Sequence, residues 1–187
     1  MAELLDTTHF GNPILREKMP TLTKAEILSD EIQYLIENMY YTLQERQYGV
    51  GMVAPQVGAR YALSVVGIKP TPTRPDLEPF NTVLINPVVA ETFGEAEDMW
   101  EGCISSGEGE NTLYAQVPRF KQIRLQWLDE KAEEHDEVLD GFVAHVAQHE
   151  TDHLNGVLFV DRVTDPTTYM VASEYKKMRE AENAEQA

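Results

Sequence analysis

The spacing of apolar residues predicts two long helices in this chain. Over residues 24–47 apolar side chains recur three or four positions apart, which is the pattern of an amphipathic helix. Thr23 and Glu26 have the spacing of a capping box at its start. The same periodicity over residues 139–154 predicts a second helix, which Gly156 should end.

Alternating apolar and polar positions, and runs rich in Val, Leu and Ile, predict three strands, over residues 61–68, 82–90 and 121–128. Between the first two strands, residues 69–80 contain four prolines and should form an irregular loop. Residues 129–137 are mostly charged and should form a turn. Strands with helices unevenly placed among them predict an α+β fold.

Two further segments complete the prediction. Residues 91–110 hold seven acidic residues and no Lys or Arg, which is typical of a solvated face or of the polar rim of a site. Asp165 followed by Pro166 is a helix-start signal, so we expect a C-terminal helix over about residues 166–180 and a frayed tail over residues 181–187. We expect one domain over residues 1–187, with small antiparallel or mixed sheets packed around the helix at 139–154.

Composition narrows the classes of function. The 187 residues include 15 Lys and Arg against 32 Asp and Glu, a net charge of −17. This balance argues against a basic face that binds DNA or RNA, and against a polybasic patch on a membrane. Cys103 is the only cysteine, so no internal disulfide can form and a reducing compartment is expected. With no signal-peptide pattern and no transmembrane-length apolar run, we expect a soluble, cytoplasmic protein.

The strongest chemical signal is a pair of histidines in the second predicted helix. His149 and His153 are four residues apart, so both imidazoles lie on one face and can reach one metal ion. Glu150, next to the first histidine, can act as a general base toward water. Chance histidines on a helix surface are the alternative, which the small number of histidines in the chain, five, disfavours.

A catalytic metal usually takes three protein ligands, and the histidine pair does not indicate which residue is the third. Phe159 stands where a metzincin protease would have a histidine, so that pattern fails. A distant carboxylate such as Glu174 is one candidate, and Cys103 is the other. A lone cysteine is more often a small buried hydrophobe, but Gly102 and polar neighbours make this stretch unlike a core strand.

A glycine-rich segment over residues 49–58 is the third feature. Its glycines permit close approach of backbone to a ligand, and Gln56 offers an amide donor in an apolar stretch. The segment lacks the lysine and spacing of a phosphate loop. The plainer interpretations are a helix C-cap at Gly49 and an exposed strand residue at Gln56.

Three blocks in this order resemble the peptide deformylase family. They are the glycine-rich block ending in Gln at residues 49–56, the Glu-Gly-Cys-Ile-Ser block at 101–105, and the Gln-His-Glu-x-Asp-His-Leu block at 148–154. An early Gly-Asn-Pro-Ile-Leu-Arg at 11–16 is also similar to the family's N-terminal motif. The resemblance covers roughly residues 9–165 and is far more specific than two histidines alone.

The resemblance implies a metal-dependent hydrolase that removes the formyl group from the N-terminal formyl-methionine of nascent polypeptides. It implies that Cys103, His149 and His153 bind one divalent metal, iron(II) in the cell, with nickel, cobalt or zinc as substitutes. Glu150 would be general base and acid. The expected partners are nascent formylated peptides, with no DNA and no membrane.

The resemblance also assigns the remaining site residues. Gln56 and the backbone N–H of Ile104 would form the oxyanion hole, and Gly51 would offer its backbone to the substrate. Glu101 is expected among the substrate-binding residues.

Four departures from the family pattern bear on specificity. Val53 stands where the family usually has Ala, which would tighten the cleft, and the stretch over residues 106–116 is longer than usual. His145 should line the pocket for the methionine side chain, where an aliphatic residue is usual; a partly exposed helix position is the alternative. The C-terminal helix is not basic, so it does not support docking on the ribosome.

Two other functions are compatible with these residues. One is a deformylase-like hydrolase acting on a different N-acyl group or a narrower set of peptides. The other is a non-catalytic binding module in which the metal is a structural staple. The second would need a fourth protein ligand, for which His135 and His145 are the nearby candidates.

Overall fold

The computed structural model describes residues 2–46, 49–71 and 77–185. Within them it has four helices and six strands, joined by short 3₁₀ turns. In chain order the elements are α1 (Lys24–Ile27), α2 (Asp30–Arg46), β1 (Gly51–Val53), β2 (Leu63–Ile68), β3 (Phe80–Gly102), β4 (Leu113–Leu128), β5 (Glu134–Asp140), α3 (Gly141–Leu154), β6 (Met170–Val171) and α4 (Ala172–Glu185).

The strands form one antiparallel sheet with the order β1-β2-β3-β4-β5, and β6 pairs with β4. The α+β prediction is confirmed. The predicted antiparallel pairing is also confirmed, although the described strands belong to a single sheet rather than to several small ones. The helix α3 packs on this sheet through apolar residues, namely Ala144, Val146 and Ala147.

The first predicted helix is interrupted. The capping box of Thr23 and Glu26 is present, but α1 ends at Ile27 and α2 begins at Asp30. The Ser29 hydroxyl donates to the Glu26 carbonyl and accepts from the backbone N–H of Ile32, so it caps a new helix rather than continuing the old one. The predicted end at residue 47 lies outside the described residues.

The first part of the acidic run, residues 91–102, belongs to β3. Backbone pairing extends from Ile85↔Leu128 to Gly102↔Tyr114, with register shifts that include one beside Pro87. This hairpin is much longer than the predicted strands at 82–90 and 121–128. Most acidic side chains in the run are exposed, as predicted for a solvated face, because one side of the hairpin meets water.

Three other boundaries differ from the predictions. The charged turn covers residues 129–133 only, and β5 follows as a charged strand on one outer side of the sheet. Asp165 and Pro166 begin a short 3₁₀ turn, not the last helix. That helix, α4, begins at Ala172 and continues to Glu185, through most of the tail that was expected to fray; residues 186–187 lie outside the described part.

The N-terminal segment ties three parts of the chain together. The backbone N–H of Thr8 donates to the Gln56 carbonyl at 2.8 Å, and that of Phe10 donates to the Ser105 carbonyl at 2.7 Å. The N–H of Met19 donates to the carbonyl of Leu154, the last residue of α3, at 2.8 Å. The segment around the 11–16 motif therefore holds the three later sequence blocks in place.

Gly156, just after α3, is predicted to be sensitive to substitution. Its φ is +75°, and a Cβ there would lie 2.6 Å from the carbonyl oxygen of Arg16. Gly94 has a similar φ of +74°, yet no atom lies within 4 Å of its would-be Cβ. Gly94→Ala should cost only the left-handed strain, about 1–2 kcal/mol, whereas Gly156→Ala must also push the N-terminal segment away.

Thermal unfolding of the two variants measures the difference. We expect Gly156→Ala to lower Tm well beyond the several degrees caused by Gly94→Ala, since about 1 kcal/mol shifts Tm by roughly 2–4 °C at this chain length. Equal losses in both variants would show that the contact between Gly156 and Arg16 is not needed for folding.

Candidate metal centre and active site

The three residues predicted to bind metal meet in the structure. The ligand atoms of Cys103, His149 and His153 all lie within 4.8 Å of one another, and Cys103 Sγ is 3.2 Å from His153 Nε2. The histidines are one turn apart on α3, and Cys103 follows the end of β3. Residues separated by some 50 positions thus form one cluster because the end of β3 lies against α3.

The donor set fits a divalent transition metal. Burial alone would raise the pKa of the Cys103 thiol, but the neighbouring histidines lower this pKa to about 5. Burial would lower the pKa of His149, but Cys103 and Glu101 raise it well above its usual range. A thiolate with two imidazoles suits iron, nickel, cobalt or zinc rather than magnesium or calcium, and three ligands leave a position for a reactant.

The alternative ligands lie elsewhere. Glu174 is on α4 and accepts a hydrogen bond from Lys177, so it is not the third ligand. His135 is 3.0 Å from Asp129 Oδ2, and His145 is directed at Glu101. Within the described residues, the cluster has three ligands, so a closed structural site with a histidine as fourth ligand is not supported.

A buried carboxylate, that of Glu101, organises the centre. Its Oε1 lies 2.6 Å from Arg119 Nε and 2.8 Å from His145 Nε2, and its Oε2 lies 2.8 Å from His149 Nδ1. Burial opposes ionisation, but the hydrogen bonds from His145, His149 and Arg119 hold the pKa of Glu101 well below its usual range. An ionised carboxylate only accepts hydrogen bonds, so Nδ1 of His149 carries a proton and its Nε2 is left for the metal.

One member of this network was not predicted. Arg119, on β4, is 4% exposed and also donates to Asp152 Oδ2 at 2.5 Å. Arg119 occupies an inward position of the strand alternation, in phase with Ala115 and Val117. That phase is the signal that could have found it, but the predicted strand began two residues later.

Glu150 is buried beside the cluster. Ser64 Oγ lies 3.3 Å from its Oε2, and a Cβ on Gly51 would lie 2.2 Å from its Oε1. Burial raises the pKa of Glu150, and electrostatic interaction with His149 and His153 partly offsets this rise. A carboxyl with a raised pKa is suited to taking and returning a proton. Ser64 was not predicted as a site residue, since it lies in an apolar strand.

Gln56 is buried, not an exposed strand residue. Its Oε1 accepts from the backbone N–H of Val53 at 2.9 Å, which leaves the amide NH₂ to point toward the site. This NH₂ donates to Ser105 Oγ at 3.1 Å and lies 3.5 Å from Cys103 Sγ. Ile104 begins the 3₁₀ turn directly after Cys103.

A cavity of about 420 Å³ opens onto these groups. His145 borders it but is buried, which contradicts the partly exposed alternative. Val53 does not line it, because its side chain is fully buried in a cluster with Leu154 and Leu158, so the expected tightening of the cleft by this side chain is wrong. The lining side chains and glycines that concern the site are Gly51, Gln56, Glu101, Cys103, Ile104, Phe142, His145, Val146, His149 and Glu150.

Comparison with known proteins identifies the family. The model of the family described as polypeptide deformylase matches residues 5–169. The chain belongs to the polypeptide deformylase family. It is therefore an enzyme, a deformylating hydrolase, and the resemblance based on the three sequence blocks is confirmed.

The deformylase has similar relatives among bacteria. It is 38% identical to a peptide deformylase of Leptospira biflexa over 157 residues, which are 82% of this chain and 84% of the relative. It is 35% identical to peptide deformylase 2 of a Nostoc species over 179 residues, 94% of this chain and 95% of the relative.

Solved structures of deformylases have the same fold. The Met-Ala-Ser-bound class I type b enzyme from Acinetobacter baumannii has a TM-score of 0.79 and 33% identity, covering 87% of this chain and 100% of that one. The actinonin complex from Synechococcus elongatus has a TM-score of 0.75 and 34% identity, covering 90% and 84%. No helix in the described part of the deformylase is long and apolar enough to cross a membrane.

Substitution of Gly51 should displace the Glu150 carboxylate. A Cβ at 2.2 Å from Oε1 cannot be accommodated without moving that side chain. We expect Gly51→Ala to retain metal but to lose turnover by about 100-fold, the effect typical of a misplacement near 1 Å. In the control, Gly67→Ala, the nearest atoms would be at 3.6 Å, an ordinary contact. Wild-type turnover in Gly51→Ala would contradict the geometry.

Proposed function

We propose that this deformylase hydrolyses the formamide bond of N-formylmethionyl peptides at one divalent metal, iron(II) in the cell, held by Cys103, His149 and His153. The observation that carries the proposal is the cluster itself, with a buried carboxyl beside it and a cavity in front. A divalent ion there would polarise the formyl group and lower the pKa of water from 15.7 to about 7.

Glu150 supplies the proton transfers. Its carboxylate takes a proton from the attacking water as the water oxygen adds to the formyl carbon. It then returns the proton to the amine nitrogen as the C–N bond breaks, which yields formate and a free N-terminus. The contacts with Ser64 and Gly51 hold this carboxyl at one place during both transfers.

Gln56 and Ile104 stabilise the charge that develops on the formyl oxygen. The amide of Gln56 is turned with its NH₂ toward Cys103, because its oxygen is held by Val53. The backbone N–H of Ile104 is the second donor. Donors of this kind are worth roughly 2.7–4 kcal/mol each in the transition state.

The substrate's first side chain lies against Phe142, Val146 and the ring of His145, which border the cavity beside the metal residues. Glu101 lies at the same wall, but protein donors occupy both of its oxygens, so its role is to position His149 and His145. The substrates are formylated peptides emerging in the cytoplasm. The tripeptide in the related Acinetobacter baumannii structure supports a peptide substrate.

Two variants separate metal binding from proton transfer. Glu150→Gln should keep a full equivalent of iron or nickel, because the ligands remain, yet turn over formyl-Met-Ala-Ser less than one hundredth as fast as wild type, since it lacks the base; general acid–base groups contribute about 10²–10⁴-fold. Cys103→Ala should lose stoichiometric metal. Metal content by elemental analysis and formate release under anaerobic conditions are the measurements.

Three results would contradict the proposal. Full metal retention by Cys103→Ala would remove the thiolate from the ligand set. Metal loss in Glu150→Gln would make Glu150 a ligand or a structural residue rather than the base. An inactive, metal-loaded wild-type protein would contradict the proposed substrate.

A further inference from the structure

The helix α4 forms one wall of the active-site cavity. Ala172, Tyr175, Lys176 and Arg179 border the same cavity as the metal ligands. The start of α4 is attached to the residue before β4, because the backbone N–H of Ala172 donates to the Thr112 carbonyl at 2.8 Å. The C-terminal helix therefore borders the cavity, although its residue Glu174 is not a metal ligand.

Aromatic rings join α4 to β3 and β4. Tyr175 stacks on Tyr114 with ring centroids 4.4 Å apart and an interplanar angle of 9°, and it meets Trp100 at 5.4 Å. The Tyr114 ring in turn lies over Gly102, where a Cβ would come within 2.5 Å of it. Gly102 is the residue before Cys103. The aromatic rings therefore connect α4 to the segment that contains this predicted metal ligand.

The open end of the cavity lies beside α4. Among its lining residues in the described part of the chain, Lys176 and Gly109 are exposed, whereas the catalytic groups are buried or half-buried. A peptide whose formyl end is at the metal must leave through the open end. Its later residues would then come near the residues that border this opening, which include Gly109, Lys176 and Arg179.

Two cations on α4 border this opening, and exposed Glu108 and Glu110 lie on either side of Gly109. Lys176 and Arg179 are the two cations among the described lining residues, and the two carboxylates, Glu101 and Glu150, are buried deep in the site. Lys176 lies 4.0 Å from Glu180, and Arg179 donates a hydrogen bond to Glu182 at 2.8 Å. Ion pairs at a protein surface are weak, so a substrate carboxylate can compete for these cations. These two positive charges contrast with the net charge of −17 of the whole chain.

We propose that Lys176 and Arg179 on α4 form an outer subsite for the peptide. This subsite favours peptides with an acidic side chain at the third or fourth residue. The inference rests on the proposed function, since it requires a formylated peptide in the cavity. The carboxylate could also come from the C-terminus of a short peptide, which shares the same chemistry but would not matter for a growing chain.

The test compares matched amidated peptides. We measure kcat/KM for formyl-Met-Ala-Glu-Ala-amide and for formyl-Met-Ala-Lys-Ala-amide, and take the ratio of the first to the second. The proteins compared are wild type, the α4 double variant Lys176→Glu and Arg179→Glu, and the control double variant Lys121→Glu and Lys177→Glu. Lys121 and Lys177 are exposed and do not line the cavity, and the control changes the net charge equally. A free-acid formyl-Met-Ala-Ala arm separates the C-terminal carboxylate from the side chain.

We expect the ratio of kcat/KM for the Glu peptide over the Lys peptide to fall by about tenfold in the α4 variant, because each exposed ion pair is worth up to about fivefold. In the control variant the ratio should fall by less than about twofold. The change should appear mainly in KM and shrink in about 1 M salt, where the screening length is about 3 Å. Equal ratios in both variants overturn the subsite, as does an effect confined to the free-acid arm. Loss of turnover on every peptide by wild type would instead refute the proposed function.

Discussion

The carboxylate of Glu101 is the group on which the rest of the site depends. It is 4% exposed and lies within hydrogen-bonding distance of Arg119, His145 and His149, which come from β4 and α3. Removing one partner of such a buried pair typically costs about 3–5 kcal/mol, because the other charge is left uncompensated. Ionic contacts as well as apolar packing therefore hold together the end of β3, the middle of β4 and α3.

The surrounding structure brings the remaining groups to this point. The N-terminal segment bonds to Gln56, Ser105 and the end of α3 through backbone hydrogen bonds, so the three motif blocks cannot shift independently. Burial then sets the chemistry. The same absence of water that raises the pKa of Glu150 makes the charge of Glu101 depend on its donors. In the proposed mechanism the two carboxyls therefore have different roles, since Glu150 transfers protons and Glu101 orients a metal ligand.

The local chemistry of the site was predictable from sequence, because ligand type and helical spacing are local properties. His149 and His153 needed only their separation of four, and Cys103 was favoured by its neighbours. Arg119 and Ser64 were not predicted, since their roles depend on which strand faces α3. The long β3–β4 hairpin was underestimated because exposed charged residues carry no apolar alternation, although their backbone pairing continues. The α4 wall depends on tertiary packing of Tyr175 on Tyr114, which no local pattern encodes.

The central claim is that Glu101 aligns His149 for the metal, and metal affinity of Glu101→Gln tests it most directly. A Gln has one acceptor oxygen and one NH₂, so it must turn a donor toward Arg119, His145 or His149. Metal affinity is measured by competition with a chelator under anaerobic conditions, with folding checked by circular dichroism. Loss of such a supporting partner should weaken the affinity by about 10–100-fold while the fold is retained. A folded variant that binds metal as tightly as wild type would contradict the account.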